Sequence, residues 1–171
     1  MPPRIDGKFH LVLVVREAQR SADWYSRVFG FVMVRKSPAG SVLTGPTGGT
    51  TPFNFTTLFH VPTRLFLGLA EPCDRPADPF DWRRAGLQHF AFHVEERAEL
   101  DEWSRHLEGL GIAHSPVLAE GPGLVVRFHD PDQIPVEVCW PDLAHCEQLF
   151  TIVARSRARA ARERRQQRRV P

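Results

Sequence analysis

The chain repeats itself. Residues 8–32 lie over residues 87–111 at an offset of 79 with no gap, so that "KFHLVLVVREAQRSADWYSRVFGFV" matches "LQHFAFHVEERAELDEWSRHLEGLG". His10 meets His89, Val15 meets Val94, Glu17 meets Glu96, Trp24 meets Trp103 and Gly30 meets Gly109, five identities in 25 positions. The kinds of residue agree as well. Each copy is an apolar strand with a histidine near its start, then a charged turn, then an amphipathic helix. Ala18, Ala22, Tyr25 and Phe29 fall at helical spacing in the first copy, and Leu100, Trp103, Leu107 and Leu110 do so in the second. Gly30 and Gly111 stand where helix C-caps belong. A repeat of this length restricts the fold to two similar supersecondary units.

A second alignment, at an offset of 69, covers the end of each copy. "PTRLFLGL" (62–69) lies over "PDQIPVEV" (131–138), placing Gly68 opposite Glu137. Between helix and last strand each copy has room for two more strands, near 31–36 and 54–60 in the first and near 113–118 and 124–129 in the second. The fold class is therefore α+β, built from two β-α-β-β-β modules at 8–71 and 86–140 within a domain of residues 1–145. Residues 38–53, rich in Gly, Pro, Ser and Thr, read as a loop, and residues 72–85, with three prolines, as the linker between modules.

The body and the C-terminus differ in charge. Residues 155–171 hold eight Arg against one Glu, a net +7, while the whole chain is +2, so the remaining residues carry −5. Residues 146–171 read as a short docking helix, "CEQLFTIVA", followed by a solvated Arg-rich tail. Contact of that tail with nucleic acid or another anionic partner is the functional alternative. No apolar run approaches the roughly 20 residues of a membrane span. The N-terminus lacks the layout of a secretory signal, so a cytoplasmic protein is expected. Cys73, Cys139 and Cys146 form no CxxC pair and suggest no disulfide framework.

"KFHLVLVV" (8–15) reads as a strand buried on both faces, with His10 inside it. A buried imidazole needs partners for its ring nitrogens, so His10 is either a core histidine satisfied by backbone or a ligand. At this point "GLQHFAFHV" and "DPDQIPVEV" matter, because they resemble the second-module opening and the DPDG-x-x-x-E ending of the vicinal oxygen chelate superfamily. That superfamily includes glyoxalase I, bleomycin-resistance proteins, fosfomycin-resistance enzymes and extradiol dioxygenases. The resemblance covers about residues 8–140 and implies paired modules around a cupped mixed sheet. It also implies homodimers, since two-module chains of this kind commonly complete their sites between protomers.

The resemblance carries the family's metal ligands onto His10, His89 and Glu137. The fourth ligand position, on the last strand of module one, falls on Gly68. Glu71 lies three residues further on and has the opposite strand parity, so it cannot take that place. Two imidazoles and one carboxylate suit Fe(II), Mn(II), Ni(II), Co(II) or Zn(II), and the open positions of a 2-His-1-carboxylate set favour Fe(II) and O₂ chemistry. The implied function is a metal-dependent enzyme on a small organic molecule, with an extradiol-like Fe(II) oxygenase preferred. The alternatives are a lyase, isomerase or transferase of glyoxalase or fosfomycin-resistance type, and a metal-free drug-binding protein. The extradiol tyrosine is replaced by Arg127, whose planar fork suits a carboxylate or enolate of the substrate. His60 and His93 are further candidates as bases or orienters. The glycine of the DPDG turn is Gln133.

Overall fold

The computed structural model describes residues 10–44, 50–74, 76–142, 144, 147 and 151. They form two compact units. One holds the described residues up to His89 together with His129–Val136, and the other holds Phe90–Phe128 and the described residues from Glu137 onward. The expected helix at 146–154 and the basic tail lie almost wholly outside the described residues. No helix among those described is long and apolar enough to cross a membrane. Cys73 and Cys139 are free thiols.

In the first unit β1 (His10–Val14) leads into α1 (Ala18–Phe29), then β2 (Val32–Lys36), β3 (Ser41–Thr44), β4 (Thr50–His60) and β5 (Leu65–Pro72). The sheet order is β1-β5-β4-β2, with β3 paired to β4. β1 runs parallel to β5, and the β4 pairings are antiparallel. One face of this sheet is closed by α1. Ala18, Ala22, Tyr25 and Phe29, the residues at helical spacing, are all buried, as are Leu13, Val15, Leu58, Leu67 and Leu69 of the sheet. α1 ends at Gly30, whose φ of 75° lets its N–H reach Ser26 O. Such a left-handed cap suits glycine because no Cβ collides with the backbone. At the other end Glu17 supplies no cap. Glu71, distant in sequence, accepts the Ala18 N–H at 2.9 Å and sets a negative charge at the helix N-terminus.

The turn His129–Val136 belongs to the same unit. Asp130 Oδ1 accepts the N–H groups of Asp132 and Ile134 at 2.8 and 2.9 Å, which folds the turn on itself. Gln133 takes the φ of 68° for which the DPDG pattern uses glycine. The buried Tyr25 hydroxyl donates to Asp130 Oδ2 at 2.9 Å. Asp132, also buried, accepts from Arg16 Nε at 2.8 Å, Arg20 Nη2 at 2.7 Å and Ser21 Oγ at 3.2 Å. Burial pushes the Asp130 carboxyl above its ordinary 3.8, against the pull of its Ile134, Tyr25 and Asp132 donors.

The second unit contains β6 (Phe90–His93), α2 (Glu99–Gly109), β7 (Leu118–Glu120), β8 (Gly123–His129) and β9 (Pro135–Pro141), apart from the turn residues of β8 and β9 assigned above. Its sheet order, β6-β9-β8-β7, is that of the first sheet without β3. The repeat is visible in single hydrogen bonds. Val15 N–H donates to Ala70 O at 2.9 Å, and Val94 N–H donates to Cys139 O at the same distance. These pairs are separated by the two offsets read from the sequence, 79 and 69. α2 buries Leu100 and Leu107 and half-buries Trp103 and Leu110. Gly111, at φ 68°, follows its cap and donates to Glu108 O, while Ile112 N–H reaches back to Leu107 O.

Three expectations need correction. β1 is not buried on both faces: His10, Val12 and Val14 are exposed while Leu13 is buried. An apolar strand has this pattern when one face meets a helix and the other is exposed. Residues 38–53 are not simply loop, since Ser41–Thr44 pair with Thr50–Phe53 and extend β4 to Thr50. The strand expected at 113–118 is only a bridge at His114 and a short β7 from Leu118. Pro116 cannot donate to a ladder, and the Ser115 hydroxyl takes the Arg127 N–H at 2.9 Å in place of a backbone carbonyl.

The Tyr25–Asp130 bond gives a test in alkali. Burial, followed by the Asp130 charge and hydrogen bond, holds the phenol well above its ordinary 10.0. A pKa raised by folding contributes stability that is intact below the unfolded value and lost as pH rises through the folded one. The chain has one tyrosine. Tyrosinate absorbance should therefore stay absent at pH 10.0 in the folded protein and appear together with unfolding at higher pH. In urea it should appear near the ordinary value. Tyrosinate forming at its ordinary pKa with native circular dichroism would contradict the buried bond.

Candidate functional site

The strand registers define the open face of the first sheet. His10 pairs with Phe66, Val12 with Gly68 and Val14 with Ala70. Across β5, Phe66 pairs with Phe59, Gly68 with Thr57 and Ala70 with Phe55. Paired residues share a face, so these three rows lie on the side away from α1. Val12 and Val14 are 42% and 54% exposed, and His10 is exposed at the start of β1. The Phe59 and Phe66 rings lie 4.6 Å apart on this face.

Gly68 is at the middle of the central strand of that face. A Cβ there would come within 2.6 Å of Phe55 Cζ and 3.1 Å of Val12 Cγ2. The Phe55 ring thus lies over the bare backbone, and no larger side chain fits at 68 unless the ring moves. Glu71 faces the other way. Its carboxylate takes the Ala18 N–H at 2.9 Å and the Asn54 Nδ2 amide at 3.4 Å, committing it to the helix side.

In the second unit Glu137 is half-buried on β9, while Val138 beside it is buried on the opposite parity. Its Oε1 accepts a charge-assisted bond from Arg127 Nε at 2.6 Å. The same guanidinium reaches the Glu120 carboxylate through Nη2. Glu120 pairs with Gly123, and counting by twos along β8 puts Arg127 on the same face. Cys139 donates its thiol to Phe92 O at 3.4 Å, and burial, then the Glu137 charge, pushes that thiol above its ordinary value.

Of the expected site residues, the structure brings Arg127 and Glu137 into contact. His10 is in the first unit and Glu137 in the second. His89 is exposed just before β6, with its Nδ1 against Gln88 Oε1. His93 is exposed at the end of β6. His60 pairs with Leu65, which sets it on the α1 side of the first sheet, away from the His10 face. Its Nδ1 lies 2.8 Å from Thr63 Oγ1, its ring is 5.0 Å from Phe31, and burial lowers its pKa. Among the described residues no three His, Cys, Asp or Glu side chains stand together as a metal-binding group. Two imidazoles and a carboxylate fit a divalent ion as donors. Glu120 escaped the sequence reading. Its signal was parity across the Gly121–Pro122 turn, usable only once β7 and β8 are known to form a two-residue hairpin.

Residues 8–138 match the family model described as Glyoxalase/Bleomycin resistance protein/Dioxygenase superfamily. Among solved structures, a glyoxylase/bleomycin resistance protein/dioxygenase domain from Frankia sp. EAN1pec is similar at 27% identity and a TM-score of 0.67, covering 81% of this chain and 99% of that one. A lactoylglutathione lyase from Agrobacterium tumefaciens is similar at 25% identity and a TM-score of 0.58, covering 84% and 98%. A point mutant of the fosfomycin resistance protein FosX from Listeria monocytogenes, solved with Mn(II) and 1S,2S-dihydroxypropylphosphonic acid, shares the fold at 18% identity and a TM-score of 0.55, covering 79% and 92%. None of the curated proteins compared matches the sequence.

The close approach at Gly68 generates a mutational test. Gly68→Glu should destabilise the fold by about 1–3 kcal/mol in chemical denaturation, because the new side chain must displace Phe55. Adding Phe55→Ala should recover part of that loss, since the obstacle is then gone. A Gly68→Glu protein as stable as wild type would mean that the ring does not cover this strand.

Proposed function

Because the chain belongs to the Glyoxalase/Bleomycin resistance protein/Dioxygenase superfamily, we propose that it is a divalent-metal-dependent enzyme acting on a small organic molecule, with His10, His89 and Glu137 as ligands gathered between two copies of the chain. The exposed apolar face beside His10 supports the assembly, because a second copy would cover Val12 and Val14. A bound ion would act as a Lewis acid toward substrate oxygens or, as Fe(II), would supply redox chemistry with O₂.

Within this reading Fe(II) oxygenase chemistry is preferred, and the Phe55 ring over Gly68 is the observation that carries the preference. Three protein ligands leave adjacent positions for substrate and O₂, and a fourth side chain at 68 would have to displace the Phe55 ring. The aromatic residues Phe55, Phe59 and Phe66 on the His10 face would offer an apolar wall to the substrate. A lyase or isomerase using Zn(II), Ni(II) or Mn(II) is the second reading, favoured by the likeness to the Agrobacterium lactoylglutathione lyase.

The test is metal analysis of anaerobically purified full-length protein, followed by O₂ uptake with candidate substrates. Light scattering should show a dimer at micromolar concentration. His89→Ala should remove most of the metal. Fe(II) should restore turnover to the apo-protein, with O₂ consumed alongside substrate. Full activity without O₂, or with Zn(II) alone, would favour the lyase or isomerase reading. Metal content unchanged in His10→Ala, His89→Ala and Glu137→Ala would place the site elsewhere.

A further inference from the structure

Arg127 is engaged from both ends. Its Nε binds Glu137 Oε1 at 2.6 Å, and its Nη2 meets the Glu120 carboxylate. The three side chains form a gradient of exposure, 12% for Glu137, 41% for Arg127 and 54% for Glu120. The buried end is the candidate metal ligand, and the exposed end has no other part in the proposed site. We propose that Arg127 is a positioning residue for Glu137, and that Glu120 fixes Arg127 in turn. This inference rests on Glu137 being a metal ligand.

A glutamate side chain has several rotatable bonds, and ordering it on a metal costs rotamer entropy. A carboxylate already held through Oε1 has lost that freedom before the ion arrives. Arginine suits the task because its planar fork can engage two carboxylates at fixed angles, whereas a lysine ammonium is one compact charge on a flexible stem. A cation beside a metal ligand also repels the incoming ion. Here Glu120 offsets the repulsion: with two carboxylates and one guanidinium the cluster carries a net charge of about −1, as a lone Glu137 would. Positioning is then obtained without losing the attraction for the metal. Substrate recognition by Arg127 is a different role, and it would leave metal affinity in the absence of substrate unchanged.

The experiment is a titration of full-length protein with Mn(II), following free Mn(II) by electron paramagnetic resonance in the absence of substrate. Arg127→Ala should weaken Mn(II) binding about 10–100-fold, the usual effect of removing a partner that orients a ligand. Arg127→Lys should recover part of the affinity, and Glu120→Gln should weaken it by a smaller factor. Thermal unfolding of each variant separates this effect from a loss of fold. If Arg127→Ala does not fold, Arg127→Lys carries the test and must bind Mn(II) more weakly than wild type. Folded Arg127 variants with unchanged or tighter Mn(II) binding, while Glu137→Gln abolishes it, would overturn the inference alone. Mn(II) binding unaffected by Glu137→Gln would overturn the metal reading and this inference with it.

Discussion

The carboxylates of Asp130 and Asp132 bind the turn His129–Val136 to the first helix, and much of the first unit depends on that attachment. Asp132 receives two guanidinium groups and a hydroxyl, and Asp130 receives the Tyr25 phenol and two backbone N–H groups. Buried carboxylates are tolerated only with partners of this kind. The result is a helix whose position is fixed from its first turn to Tyr25. It covers the side of the first sheet that carries Leu13, Leu58, Leu67 and Leu69, while Val12 and Val14 on the other side are exposed.

The two units use one frame for different chemistry. The hydrogen bonds Val15–Ala70 and Val94–Cys139 show that the strand positions are equivalent. At the same register Gly68 and Glu137 differ as far as two residues can. One has no side chain and lies beneath an aromatic ring, and the other is a carboxylate held by a guanidinium. A duplicated frame fixes where a side chain can be placed, and the local packing decides what is placed there.

Much of this was legible in the residues. The repeat, the helices with their buried stripes, the left-handed caps and the parity of Glu71 all follow from period and offset, which depend on local geometry. The openness of the His10 face was not legible, because "LVLVV" has apolar side chains on both faces whether the second face meets its own chain or another surface. β3 was hidden by the glycines and prolines around it, although its Val42 and Thr44 suit a strand. The Arg127–Glu137–Glu120 cluster depends on the register of two hairpins, and register is a tertiary quantity. The ligand set was read from family resemblance, and its members fall in both units, His10 and His89 in the first and Glu137 in the second.

The attachment of the turn to α1 also bears on synthesis. Arg16 and Asp132 are separated by 116 residues. While the ribosome is making the linker, the first sheet and its helix already exist as chain, but the carboxylates that pair with Arg16, Arg20 and Tyr25 have not yet been added. Contacts of such long range delay completion of the core and lengthen the time that a nascent chain spends with its helix face incomplete. The first module, although made before the second, thus completes its helix attachment only after Asp132 has been added.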